Sequence, residues 1–225
     1  MTIKERIEIL KERIENSLAK AGRSEENVII VGVTKGIDIE RIVEGIKSGI
    51  NILGENRVQE AREKIPQITL PCQWHLIGHL QKNKVKYAVK LFDMIQSVDS
   101  VELAQLLNKK LDRKLDILIE VNTSGEPQKF GVLPDDLADL IEAILDFKNL
   151  NLRGLMTVGP YPVEEKKSRA AFSLLRELRD RMENRYNIKL PILSMGMTED
   201  FEYAILEGAN MLRIGRGIYG ERNYS

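Results

Sequence analysis

Along the chain, runs of Val, Ile and Leu alternate with charged stretches whose apolar residues recur every three or four positions. The opening stretch, MTIKERIEILKERIENSLAKAG, places Ile3, Ile7, Leu10, Ile14 and Leu18 on one helical face, and Gly22 ends it. Eight apolar runs follow, at 28–34, 50–54, 74–78, 93–98, 115–121, 152–158, 190–195 and 211–215. Segments of helical period separate them, such as IERIVEGIKSG, KVKYAVKLF, VELAQLLNKKL, DDLADLIEAILDF and EEKKSRAAFSLLRELRDRMENRY, so a helix is predicted after every strand except the last. The runs are continuous rather than alternating, which buries both strand faces, as parallel sheets require. Eight strand–helix units in roughly 200 residues predict an α/β fold, a single closed (β/α)8 TIM barrel with an extra N-terminal helix. A doubly wound open sheet is the alternative. Six strands normally suffice for it, and the G-x-G-x-x-G expected after its first strand is missing. No linker or low-complexity tract divides the chain, so residues 1–225 read as one domain, with the helix over 1–22 and the barrel over 28–225.

Composition narrows the function classes. The 34 basic residues balance the 34 acidic ones, which removes any global electrostatic reason to expect nucleic acid or an anionic membrane as partner. No apolar run approaches the ~20 residues of a membrane span, and the N-terminus lacks the apolar core of a signal peptide. Cys72 is the single cysteine, so neither an internal disulfide nor a cysteine metal cluster can form. A cytoplasmic monomer is expected.

In a barrel of this type, function sits at the carboxyl ends of the strands, and phosphate is often held between the loops after strands seven and eight. Those loops read SMGMTED and RIGRG. Ser194 supplies a hydroxyl, Gly196 permits close backbone approach, and Thr198 is expected to cap a helix. Gly215 and Gly217 flank Arg216, so backbone N–H groups can point at an anion. The first strand ends VIIVGVTKG, with Lys35 at its tip. Strand one neighbours strand eight in a closed barrel, so that amine faces the anion loops. A desolvated lysine loses its proton more readily and attacks carbonyls. An aldehyde carrying a phosphate fits both ends. Pyridoxal 5′-phosphate is such a molecule, and Arg213 on strand eight is placed to face its ring nitrogen.

The motifs GENRVQE, WHLIGHLQKNK, VNTSGEPQKFG, GLMT and LSMGMTEDFEYAILEGANMLRIGRGIYGER, with the lysine after VGVT, resemble the pyridoxal phosphate homeostasis proteins over nearly the whole chain. That family is similar to the barrel domain of bacterial alanine racemase standing alone. The resemblance implies a carrier that buffers or delivers the cofactor without turnover, handing it to apo forms of pyridoxal-dependent enzymes. It implies a Schiff base at Lys35, phosphate held by Ser194, Gly215 and Arg216, Arg213 at the pyridine nitrogen and Asn56 near the ring. Lys129 matches a family lysine and is a candidate secondary amine. The chain departs from the family where Thr34-Lys35-Gly36-Ile37-Asp38 replaces S-K-T-K-P, where Arg216 replaces a threonine and where His79 replaces a proline. An arginine at the pyridine nitrogen keeps it unprotonated, which weakens the ring as an electron sink. Together with the absence of a second domain bearing a catalytic tyrosine, this favours a carrier over the alternative of an amino-acid racemase. The second alternative is a Schiff-base aldolase acting on a phosphorylated substrate. No catalytic residue and no metal site is assigned, because His75 and His79, four apart, have no evident third ligand.

Overall fold

The computed structural model describes residues 1–221. The chain opens with α1 (Ile3–Lys20), followed by β1 (Ile29–Val33), α2 (Ile39–Lys47), β2 (Ile52–Glu55), α3 (Val58–Lys64), β3 (Gln73–Leu76), α4 (Val85–Leu91) and β4 (Met94–Val98). Then come α5 (Val101–Lys110), β5 (Leu115–Glu120), α6 (Leu137–Leu145), β6 (Leu150–Met156), α7 (Glu165–Tyr186), β7 (Ile192–Ser194), α8 (Phe201–Leu206), β8 (Met211–Ile214) and α9 (Arg216–Tyr219). The eight strands pair in parallel and in sequence order, and β8 returns to β1 to close the barrel. One expectation is corrected: a one-turn helix, α9, does follow the last strand. It is too short to show a helical period, and Gly215 and Gly217 mask it in the sequence.

Two apolar shells hold the barrel. Val31, Met94, Leu118, Met156, Ile192 and Met211 fill its interior, and Ile52, Ile77 and Val158 pack against them. A larger cluster seals the outer strand faces to the helices, including Leu53, Leu76, Ile95, Ile117, Leu155 and Leu212. Both strand faces are therefore largely dry, which is why the runs are mostly apolar rather than alternating.

The amphipathic face of α1 packs on α8, α9 and α2, so this helix flanks the barrel wall. Thr2 caps it reciprocally with Glu5: the Glu5 N–H donates to Thr2 Oγ1 at 3.2 Å, and the Thr2 N–H donates to Glu5 Oε2 at 2.8 Å. Arg23, just beyond α1, donates to the carbonyls of Ile205 and Ala209. Among the described residues, no helix is long and apolar enough to cross a membrane.

Candidate functional site

Above the apolar plug, side chains point inward at every second strand position, so two residues past the plug comes a polar tier. Met94, Ile192 and Met211 give way to Gln96, Ser194 and Arg213, and Leu118 to Glu120. This tier is wired across the barrel. Arg213 donates to Ser194 Oγ at 2.8 Å and to the Thr157 carbonyl at 2.6 Å. Ser194 Oγ donates to Gln96 Oε1 at 2.6 Å, and Gln96 Nε2 lies 3.0 Å from His75 Nδ1. Burial holds the His75 imidazole down to about 4, so it is neutral at physiological pH and can accept from Gln96. Burial also pulls Arg213 down to about 10, opposed by Glu120 and Asp200, which leaves it a cation at neutral pH.

Two adjoining cavities open above this tier, with Val158 in the wall of both. One, of about 460 Å³, is bounded by Arg213, Thr198, Gly215, Arg216, Lys129 and Val33. The other, of about 680 Å³, is bounded by Lys35, Asn56, Arg57, His79, Glu120 and Phe130 among others. Both fall in the size range of small-molecule sites.

The sequence-derived residues thus fall into three places. Lys35 and Asn56 share one cavity, while Arg213, Gly215 and Arg216 share the other. Ser194 is fully buried beneath, and its hydroxyl is committed to Gln96 and Arg213. The Arg216 guanidinium turns outward to pair with Glu199. As the first residue of α9, Arg216 has a backbone N–H with no partner inside the helix.

Thr198 is not the helix cap expected of it. Asp200 occupies that position, and Thr198 Oγ1 instead accepts the Gly217 N–H at 3.1 Å, tying the loop after β7 to the loop after β8. Gly196, at φ +94°, makes this turn possible, since a Cβ there would lie 2.7 Å from Ala204 Cβ. His75 and His79, four apart in sequence, diverge. His75 is inside the barrel, whereas His79 lies past β3, stacked on Phe130 at 4.0 Å and paired with Asp99 at 3.2 Å.

Several residues at the site have no role assigned from the sequence, although Glu55 and Glu60 lie within GENRVQE. Glu120 is 6% exposed, and burial raises its carboxyl to about 7 against the pull of Arg213, with Asp99 adding to the rise. Lys64, Glu55 and Glu60 form a buried cluster under Thr34 and Gly36. Only inward alternation from Leu118 could have marked Glu120, and nothing in the spacing marks Lys64. Lys129 is the opposite of a free amine: it donates to the Gly159 carbonyl and, at 2.8 Å, to Glu126.

The profile of the alanine racemase N-terminal domain matches residues 7–223. A pyridoxal phosphate homeostasis protein of Aquifex aeolicus is 43% identical over 224 residues, spanning 98% of each chain. Two structures of PipY from Synechococcus elongatus superpose closely. The one without pyridoxal phosphate has a TM-score of 0.88 at 33% identity, and the one with it bound has 0.86 at 31%. Each covers 97% of this chain and 100% of its own.

Proposed function

The chain belongs to the alanine racemase N-terminal-domain family, and from that premise we propose that it is a single-domain carrier that binds pyridoxal 5′-phosphate and releases it to apoenzymes without turning over a substrate. The names of its relatives and the ligand of PipY support this reading. The observation that carries it is the position of Lys35. Lys35 lines a cavity that adjoins the anion-suited loops, and among the described residues no hydrogen bond ties its amine down.

The residues fit the group on three counts. Asn56 Oδ1 is buried without a partner among the described residues, as expected of an atom awaiting a donor. The second cavity offers Thr198, the N–H groups around Gly215 and Arg216, and the buried cation Arg213 to an anion. Val33 and Val158 give the mouth apolar walls for a ring.

When bound, the cofactor supplies an aldehyde that an amine captures reversibly. The chain's residues would do the rest. Lys35 is the capturing amine, Gly215 and Arg216 hold the phosphate through their backbone, and Asn56 lies beside the ring. Arg213 faces the ring nitrogen as a fixed cation that denies it a proton. Ser194 contributes by fixing Arg213, since its hydroxyl accepts from that guanidinium.

Titrating pyridoxal phosphate into the wild type should raise a visible absorption band that Lys35→Ala loses. A band that survives unchanged in the variant would move the capture to another lysine, and no band in the wild type would refute the carrier. Racemisation of alanine or serine by the loaded wild type would make the protein an enzyme.

A further inference from the structure

We propose that Lys64 is the positioning residue of this site, holding the backbone on both sides of Lys35 and compensating the charge of the Glu60 carboxylate near it. The inference rests on the reading of Lys35 as the capturing amine. Lys64 projects from the last turn of α3, and its side chain is 11% exposed. Its ammonium has three protons, and all three are used. They go to the Thr34 carbonyl at 2.6 Å, to Glu60 Oε1 at 2.6 Å and to Glu55 Oε1 at 3.0 Å.

Those partners grip the loop that carries Lys35. The Thr34 carbonyl belongs to the peptide before Lys35. The Gly36 N–H belongs to the peptide after it, and donates to Glu60 Oε1 at 2.6 Å. Thr34 is pinned twice more, by its N–H to the Gly54 carbonyl at 3.0 Å and by its hydroxyl to Glu55 Oε1 at 2.6 Å. Gly36, at φ +68°, lets the chain turn immediately afterwards. The amine therefore leaves a backbone that cannot shift without breaking a hydrogen bond to a charged side chain of the cluster.

The same cluster sets the charge that Lys35 meets. Burial raises the Glu55 carboxyl, against hydrogen bonds from Thr34 and Lys64. Burial also pushes Glu60 upward, but the Lys64 hydrogen bond, the Gly36 amide and the nearby cations outweigh it, and the net shift is down. Lys35 is one of those cations, so its amine and Glu60 already feel each other. The remaining ionisable groups facing the Lys35 cavity are Arg57, His79, Lys84 and Glu120. Without Lys64, Glu60 would be left as an uncompensated anion beside Lys35, which favours the ammonium over the neutral, nucleophilic amine.

The test measures Lys35 without the cofactor, by competitive labelling with acetic anhydride across pH and peptide mass spectrometry. Lys64→Met should move the Lys35 labelling midpoint upward by about one pH unit, a roughly tenfold loss of reactive amine at fixed pH below the midpoint. Lys64→Met/Glu60→Gln should return it towards the wild-type value, which a purely structural role would not do. An unmoved midpoint in Lys64→Met, or a double variant that stays shifted, overturns the proposal. If Lys64→Met does not fold by circular dichroism, Glu60→Gln alone carries the test: its midpoint should fall, and an unchanged one overturns the proposal. Pyridoxal phosphate binding to the same wild-type protein is measured separately. Its failure would remove the carrier reading while leaving the labelling result to stand.

Discussion

At the level of single residues, the site joins groups that a motif announces with groups that only depth creates. Glu120 is the sharpest case of the second kind. It ends β5, it lines the Lys35 cavity, and burial lifts its carboxyl from the ordinary 4.5 to about 7. The folded protein therefore retains a proton that the unfolded chain has already lost across that window. Stability tied to Glu120 is fully present below pH ~4.5 and is lost as pH rises through about 7. Replacing it with glutamine removes the penalty of an ionised buried carboxylate. Glu120→Gln should gain little in urea unfolding at pH 4, and as much as ~3 kcal/mol over wild type at pH 8. An equal effect at both pH values would mean that Glu120 is ionised without cost. Ser194 teaches the complementary lesson: its residue type suits an anion, yet its register puts the hydroxyl in the buried tier, against Arg213.

At the level of elements, legibility followed length and period. α1 and α7 repeat their apolar stripe over several turns, and both stand out in the sequence. α8 spans six residues and was expected after β7, though its cap is Asp200 rather than Thr198, whereas α9 spans only four, completes no pattern and was not expected. Six of the eight apolar runs extend one or two residues past their strands, where the chain leaves the sheet to build the mouth, whereas the second run stops one residue short of its strand end and the fourth ends with its strand. β6 shows a further constraint invisible to periodicity. Its register against β5 slips between Ile117 and Leu118, and Gly154 passes so close to β7 that a Cβ would lie 1.9 Å from the Ile192 carbonyl oxygen. Backbone there cannot yield as a flexible side chain would. Gly154→Ala should lower stability by ~3 kcal/mol or more, read as a drop in thermal midpoint. Gly22→Ala, where no atom lies within 4 Å, should cost ~1 kcal/mol from its positive φ alone. Similar losses at the two positions would refute the close approach.

At the level of the whole molecule, closure makes the site. β1 pairs with β8, with Val31 opposite Arg213, and this brings the loop of residue 35 beside that of residues 215–216 across 180 residues of chain. A ligand bridging both cavities contacts loops from opposite ends of the sequence, so it should oppose global unfolding. At a free concentration 100 times its dissociation constant, pyridoxal phosphate should stabilise the wild type by about 2.7 kcal/mol, measured as a rise in melting temperature. Lys35→Ala should shrink that rise, and a full rise in the variant would show that capture by Lys35 contributes nothing to affinity.

The sequence by itself determined the barrel, because eight doubly buried strands leave a periodic apolar record and parallel neighbours need a helix between them. It also determined where chemistry could lie, since a barrel of this type works at the carboxyl ends of its strands and polar residues gather there. Tertiary structure decided which of these residues meet and in what ionisation state. Depth within the barrel turns on register and on neighbours distant in sequence. That is why Lys64, Glu55 and Glu60 gather under Lys35, why Glu120 holds a proton near neutrality, and why Ser194 steadies Arg213 from below.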